Sequence, residues 1–212
     1  MFNELKELFE NLNYDPSNLS RSSTGDGRLD SAESENGIIQ FLIDSFNSPD
    51  FRFETTPARF WCDIKLHYKG QCFPINIKIT TGKSADNVSS KEGMFYALTG
   101  IDPTTVKGLN TWEGYIKSLK QYINYENNVD YYFLVYFKEE GKFLFTSLKR
   151  IETLNPNGSN LPFQCHWGKN KNPTTRTAIE QHKYILEIFT QSYIRKANGL
   201  EALLAWRNTN YE

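Results

Sequence analysis

The chain has 212 residues, of which 39% are hydrophobic and 23% charged, with a formal net charge of −1. That length suits one domain with its own core, the composition is that of a globular protein, and no apolar run approaches the roughly 20 residues of a membrane span. The near-zero charge withholds the signal of a globally basic nucleic-acid binder, yet a local basic cleft can coexist with a neutral whole.

Phe2, Leu5, Leu8, Phe9 and Leu12 recur at helical spacing and predict a helix over 2–13. Acids run through this segment, which lacks the basic start and apolar core of a signal peptide. Residues 14–30 are rich in Asn, Ser, Gly and Asp and predict a loop. In DSAESENGIIQFLIDSF, Asp30 with Glu33 fits a capping box. Ile38, Ile39, Leu42 and Phe46 form the stripe of a helix ending near Asn47-Ser48-Pro49. Residues 51–54, 60–68 and 73–81 alternate and are rich in aromatic and β-branched side chains, which predicts strands. Residues 82–93 read as a loop. Residues 111–124 read as a helix with Trp112, Tyr115, Ile116, Leu119, Tyr122 and Ile123 on its apolar face. DYYFLVYFK is a buried strand and KFLFTSLKRI another. Residues 155–176 read as irregular, and 177–206 as mostly helical with a break at Asn198-Gly199. This order predicts an α/β fold with a mixed central β-sheet flanked by helices.

Three cysteines, Cys62, Cys72 and Cys165, form no CxxC pair. Their odd number and wide spacing point to reduced thiols in a cytoplasmic compartment. His67, His166 and His182 share no ligand-like spacing, and STGDGR lacks the Lys-Ser/Thr of a phosphate loop.

The stretch CDIKLHYKGQCFPINIKITT, residues 62–81, concentrates the chemistry. With Lys69-Gly70 as a two-residue turn, Tyr68 faces Gln71 and Asp63 falls opposite Asn76. Alternation then puts Asp63, Asn76 and Lys78 on one face and Ile64, Leu66, Ile75 and Ile77 on the other. The bland explanation is a solvated strand face with a cross-strand Asp–Lys pair. Glu35 lies on the stripe of Ile38, Ile39 and Leu42, where it is either a first-turn acid favoured by the helix dipole or a carboxylate needing a cation. An acid beside further oxygen ligands suits a hard divalent cation, and a neighbouring lysine can hold or activate water.

An acid on one strand, then Asn76-Ile77-Lys78 on its partner, resembles the PD-(D/E)xK nuclease pattern. The order of elements, with INIKITTGK, KNPTTRTAIEQHKYI and LEALLAWRN, resembles the EcoRV-like branch of type II restriction endonucleases. The three strings hold 33 of the 212 residues, and with the order of elements the resemblance extends over about half the chain, discontinuously. Cys62 stands where the motif has proline, and Asn76 stands where it has an acid. An amide oxygen can ligate a hard cation but brings no charge, so metal affinity should fall. Asn76 is then a variant that leans on Glu35, the mark of an inactive relative, or an introduced Asp→Asn exchange that traps a substrate complex.

The resemblance implies a restriction-endonuclease-like fold over 1–212 as a single endonuclease domain, with dimerisation and DNA-recognition subregions at 1–30 and 155–212. It implies Mg²⁺-dependent hydrolysis of double-stranded DNA at a short palindrome by a homodimer, with Asp63, Asn76 and Glu35 as metal ligands and Lys78 at the attacking water. In the loop 165–177, Lys169, Asn170, Lys171, Asn172, Thr174, Thr175 and Arg176 are the candidate base and phosphate readers. Lys83, Asn87, Ser89, Ser90 and Lys91 are candidate backbone contacts, and Arg59, in TTPAR, a candidate minor-groove contact. Both loops also read as ordinary polar surface. The alternatives are a DNA-binding protein with catalysis lost through Asn76, or a repair nuclease of the same fold.

Overall fold

The computed structural model describes residues 1–19, 27–46, 48–88 and 90–211, with side chains described outside 27–32 and 209–211. In chain order the elements are α1 (Phe2–Glu10), α2 (Gly27–Ser45), β1 (Phe51–Thr55), β2 (Ile64–Tyr68), β3 (Gln71–Thr80), β4 (Asp86–Asn87), α3 (Lys91–Thr99), α4 (Trp112–Tyr122), β5 (Tyr132–Phe137), β6 (Lys142–Ser147), β7 (Leu154–Asn155), β8 (Gln164–Cys165) and α5 (Ala178–Tyr211), with short 3₁₀ turns between some of them. The chain divides into two compact units, 1–84 with 130–148, and 85–129 with 149–212.

The first unit is built on a five-stranded mixed sheet of order β1-β2-β3-β5-β6. β1, β2 and β3 run antiparallel, β3 pairs parallel with β5, and β5 pairs antiparallel with β6. The β2–β3 turn has positive φ at both Lys69 (49°) and Gly70 (77°). Two left-handed residues are what a type I′ turn requires, and that turn fixes Tyr68 against Gln71 as expected. Alternation sends Ile64 and Leu66 of β2, Ile75 and Ile77 of β3, Leu134 of β5 and Phe145 of β6 into one core with Leu5 and Phe9 of α1 and Ile38 and Leu42 of α2. Phe145 stacks on Phe2 at a ring separation of 5.4 Å and meets the tilted ring of Phe9 at 4.9 Å.

The second unit carries a small antiparallel sheet of order β4-β8-β7. Tyr115 of α4, fully buried, meets Phe95 of α3 at 6.1 Å and Phe189 of α5 at 6.0 Å. Gly114 must be glycine, because a Cβ there would lie 2.2 Å from the Gly108 carbonyl oxygen.

Several local expectations are corrected. α2 begins at Gly27, so Asp30 is inside the helix rather than at its cap. The strand expected over 60–68 begins only at Ile64. Residues 91–99, partly within the expected 82–93 loop, form α3, capped by the Ser90 hydroxyl, which accepts from the Gly93 N–H at 3.2 Å. β7 and β8 lie in or beside the segment expected to be irregular. No break occurs at Asn198-Gly199, where α5 continues unbroken. Among the described residues no helix is long and apolar enough to cross a membrane.

Candidate active site

Asp63 is the point at which the predicted residues meet. It lies immediately before β2, and the register set by Ile64 against Ile75 continues to Asp63 against Asn76. Its own N–H donates to the Ile75 carbonyl at 3.0 Å. Its Oδ2 accepts from the Ile77 N–H at 2.6 Å, so the carboxylate takes a ladder position of β3 between Asn76 and Lys78. Three side-chain bonds hold the bend that carries it. The Thr56 hydroxyl bridges the carbonyls of Cys62 (2.7 Å) and Asp63 (3.0 Å), and the Tyr131 hydroxyl donates to the Trp61 carbonyl at 2.6 Å. These carbonyls are engaged by hydroxyls rather than by a strand, which is why β2 starts at Ile64.

Burial pushes the Asp63 carboxyl above its ordinary value, and the Ile77 N–H and the Lys78 charge only partly offset this. A half-buried carboxylate bonded to one N–H, with the Lys78 charge nearby, can accept more positive charge.

Asn76 and Lys78 point away from the α1–α2 core, beside the fully buried Phe133 and Val135 of β5. The Asn76 Oδ1 is buried without a hydrogen-bond partner. Leaving such an oxygen unsatisfied costs about 1–3 kcal/mol, which is uncommon enough to need a cause. Lys78 is half-buried.

Glu35 and Asp63 line one cleft of about 380 Å³, with Asn36, Thr55, Thr56, Arg59 and Phe60 among its other walls. Asn76 and Lys78 do not line it. Arg59 is exposed and adopts φ 65°, a left-handed conformation that costs a non-glycine residue about 1–2 kcal/mol. Thr56 and Tyr131 escaped the sequence reading. Thr56 was findable, since it stands next to Pro57 just ahead of Asp63, but Tyr131 is reached only through the β3–β5 pairing.

Among the described residues no cluster of three or more His, Cys, Asp or Glu side chains is arranged to hold a metal. Asn76 occupies the position where a further acid would help complete one. The orphaned Asn76 oxygen nonetheless fits a hard divalent cation, because amide and carboxylate oxygens are the donors such an ion prefers. Lys65 of β2 pairs with Glu54 of β1 at 3.7 Å.

The second unit separates its candidates sharply. Lys169, Lys171, Asn172 and Thr175 are exposed. Asn170 is 3% exposed and cannot reach a base. Its Oδ1 accepts from the Thr153 N–H at 2.8 Å, and its amide N–H groups meet the carbonyls of Thr153 and His166 and the Cys165 sulfur. Arg176 is likewise engaged, donating to the Glu152 carbonyl at 2.8 Å and stacking 4.0 Å from the Tyr184 ring centre. Thr174 accepts from Arg176 and donates its N–H to the Arg150 carbonyl. Burial pushes the Cys165 thiol up to about 12, so it is no nucleophile at neutral pH.

Of the other expected contacts, Lys83 pairs with Glu139 on the surface of the first unit at 2.7 Å. Asn87 accepts from the Gln164 amide, and Lys91 lies over the Trp112 ring at 5.1 Å. Ser89 lies outside the described residues. No family model, curated protein or solved structure matches the chain.

Proposed function

We propose that this protein hydrolyses phosphodiester bonds of double-stranded DNA at a short palindromic site, as a cytoplasmic, restriction-endonuclease-like homodimer. The observation that carries the reading is the Asp63 carboxylate, half-buried, raised above its ordinary value and bonded to β3 between Asn76 and Lys78. A Mg²⁺ ion held by Asp63 and Asn76, rather than by Glu35, which shares only the Asp63 cleft, would supply Lewis-acid polarisation of the phosphate and a more acidic bound water.

The chain's own residues have separate tasks. Asp63, fixed by Ile77, Thr56 and Tyr131, presents a rigid carboxylate oxygen. Lys78 orients the attacking water and steadies the charge that develops on the phosphate in the transition state. Glu35 brings a second carboxylate to the cleft, and Arg59 brings a cation to the same wall. Exposed Lys169, Lys171, Asn172 and Thr175 form the reduced set of DNA contacts in the 165–177 loop. Phosphate contacts by the lysines would set affinity, and Asn172 would read a base edge.

Incubation with plasmid DNA and Mg²⁺ tests this. Discrete fragments support it. Retarded but intact DNA favours the second reading, a DNA-binding protein weakened by Asn76, whose amide lacks the charge of an acid. Degradation without discrete fragments favours a non-specific nuclease. Neither retardation nor cleavage overturns the reading.

A further inference from the structure

The second unit has an apolar groove of about 430 Å³ between α4 and α5, bounded by Ile116, Leu119 and Ile123 on one side and Leu186, Phe189 and Tyr193 on the other. α5 does not stop where this groove stops. It runs unbroken to Tyr211, and Leu200, Leu203 and Leu204 stand 57%, 56% and 40% exposed. Leu200 and Leu204 lie seven and eleven residues after Tyr193, two and three helical turns along the same face, and Leu203 lies four turns after Phe189. The wall of the groove and the bare stripe are therefore one surface, about 27 Å long from Leu186 to Leu204.

A solvated helix has no reason to carry this stripe. The tail cannot fold back over its own groove, because the helix that bears it is continuous through Gly199. A second copy can cover it. A two-fold axis crossing the stripe sets the tail of each α5 antiparallel to the other and brings Leu200, Leu203 and Leu204 to the partner's α4–α5 groove, a self-complementary contact that closes. Besides the three tail leucines, Ile116, Tyr125, Tyr193 and Ile194 are 36–56% exposed, and together these seven residues expose on the order of 700 Å² per chain, close to the about 800 Å² each partner contributes to a stable interface. The geometry points to this α4–α5 surface as the contact between two copies of the chain. The inference deepens the homodimer reading by naming its surface, and it does not depend on nuclease activity.

Light scattering on the eluting full-length protein tests it. The wild type is expected at twice the chain mass. Leu200→Glu with Leu203→Glu is expected at the chain mass, with association weakened about 100-fold or more by charges placed in an apolar contact. Both positions are exposed in the single chain, so circular dichroism should be unchanged, while Tm should fall with the lost association and cease to depend on protein concentration. Ile116→Lys, on the opposite wall, should dissociate the dimer independently. A monomeric wild type overturns both the surface and the homodimer. A dimer that survives both variants overturns the surface alone and leaves the homodimer and the DNA cleavage readings standing.

Discussion

Asn76, half-buried on β3 with its side-chain oxygen buried, and Asn170, buried in the loop before α5, stand in opposite conditions. Around Asn170 the amide is satisfied by Thr153, Cys165 and His166. At Asn76 the amide oxygen has no partner. Both looked functional by residue type and position. Hydrogen-bond satisfaction separates them: a satisfied buried amide braces a loop, whereas the unsatisfied Asn76 oxygen keeps a donor position beside a raised carboxylate.

The largest effect is expected at Asp63. Asp63→Asn should lower DNA cleavage by about 10³-fold while raising Tm, because it removes a buried charge yet keeps an acceptor for the Ile77 N–H. A variant that cleaves normally, or that loses stability, contradicts the assignment. Next comes the architectural end. Asn170→Ala should cost about 2–4 kcal/mol in urea unfolding, since it strands the Thr153 N–H and two carbonyls, whereas Asn76→Ala should cost less than half of that. Equal losses would erase the distinction.

A pH series sharpens the same contrast. The folded Asp63 carboxyl sits above its unfolded value, so the folded state holds the proton more tightly. Its contribution to stability is then present below the ordinary Asp range near pH 4 and is lost as pH rises through the raised folded value. Asp63→Asn should flatten this part of the profile, and the two curves should converge at acid pH. Divergence at acid pH would place the difference elsewhere. The smallest effect is expected at Lys169 and Lys171. Their replacement by alanine should change stability by under about 0.5 kcal/mol and reduce the salt slope of DNA binding by about 1 each. Arg176→Ala should instead destabilise by about 1–2 kcal/mol through its lost bonds to Glu152.

Much of the first unit was legible from local chemistry. Period-two alternation and a Lys-Gly turn were enough to set Asp63 against Asn76, because a type I′ turn allows few registers. What escaped was set at a distance. The bend at 61–63 depends on hydroxyls from Thr56 and Tyr131, so alternation carried the predicted strand too far. α3 is buried on most sides, at Met94, Phe95, Ala97, Leu98 and Thr99, and therefore lacks the one-sided stripe that reveals a surface helix. Gly199 misled in the other direction. A glycine inside a helix costs only about 1 kcal/mol relative to alanine, too little to stop one whose flanks favour helix. The role of Asn170 was invisible because its partners, at residues 153, 165 and 166, converge only in the folded loop.

The most direct test of the account is the rate of plasmid cleavage in Mg²⁺ by the wild type, Asn76→Asp and Lys78→Ala. An added acid at position 76 should tighten metal binding and raise cleavage by about tenfold or more, and loss of Lys78 should lower it by about 100-fold or more. If cleavage is unchanged in both variants, the chemistry does not reside on β3, and the account is wrong.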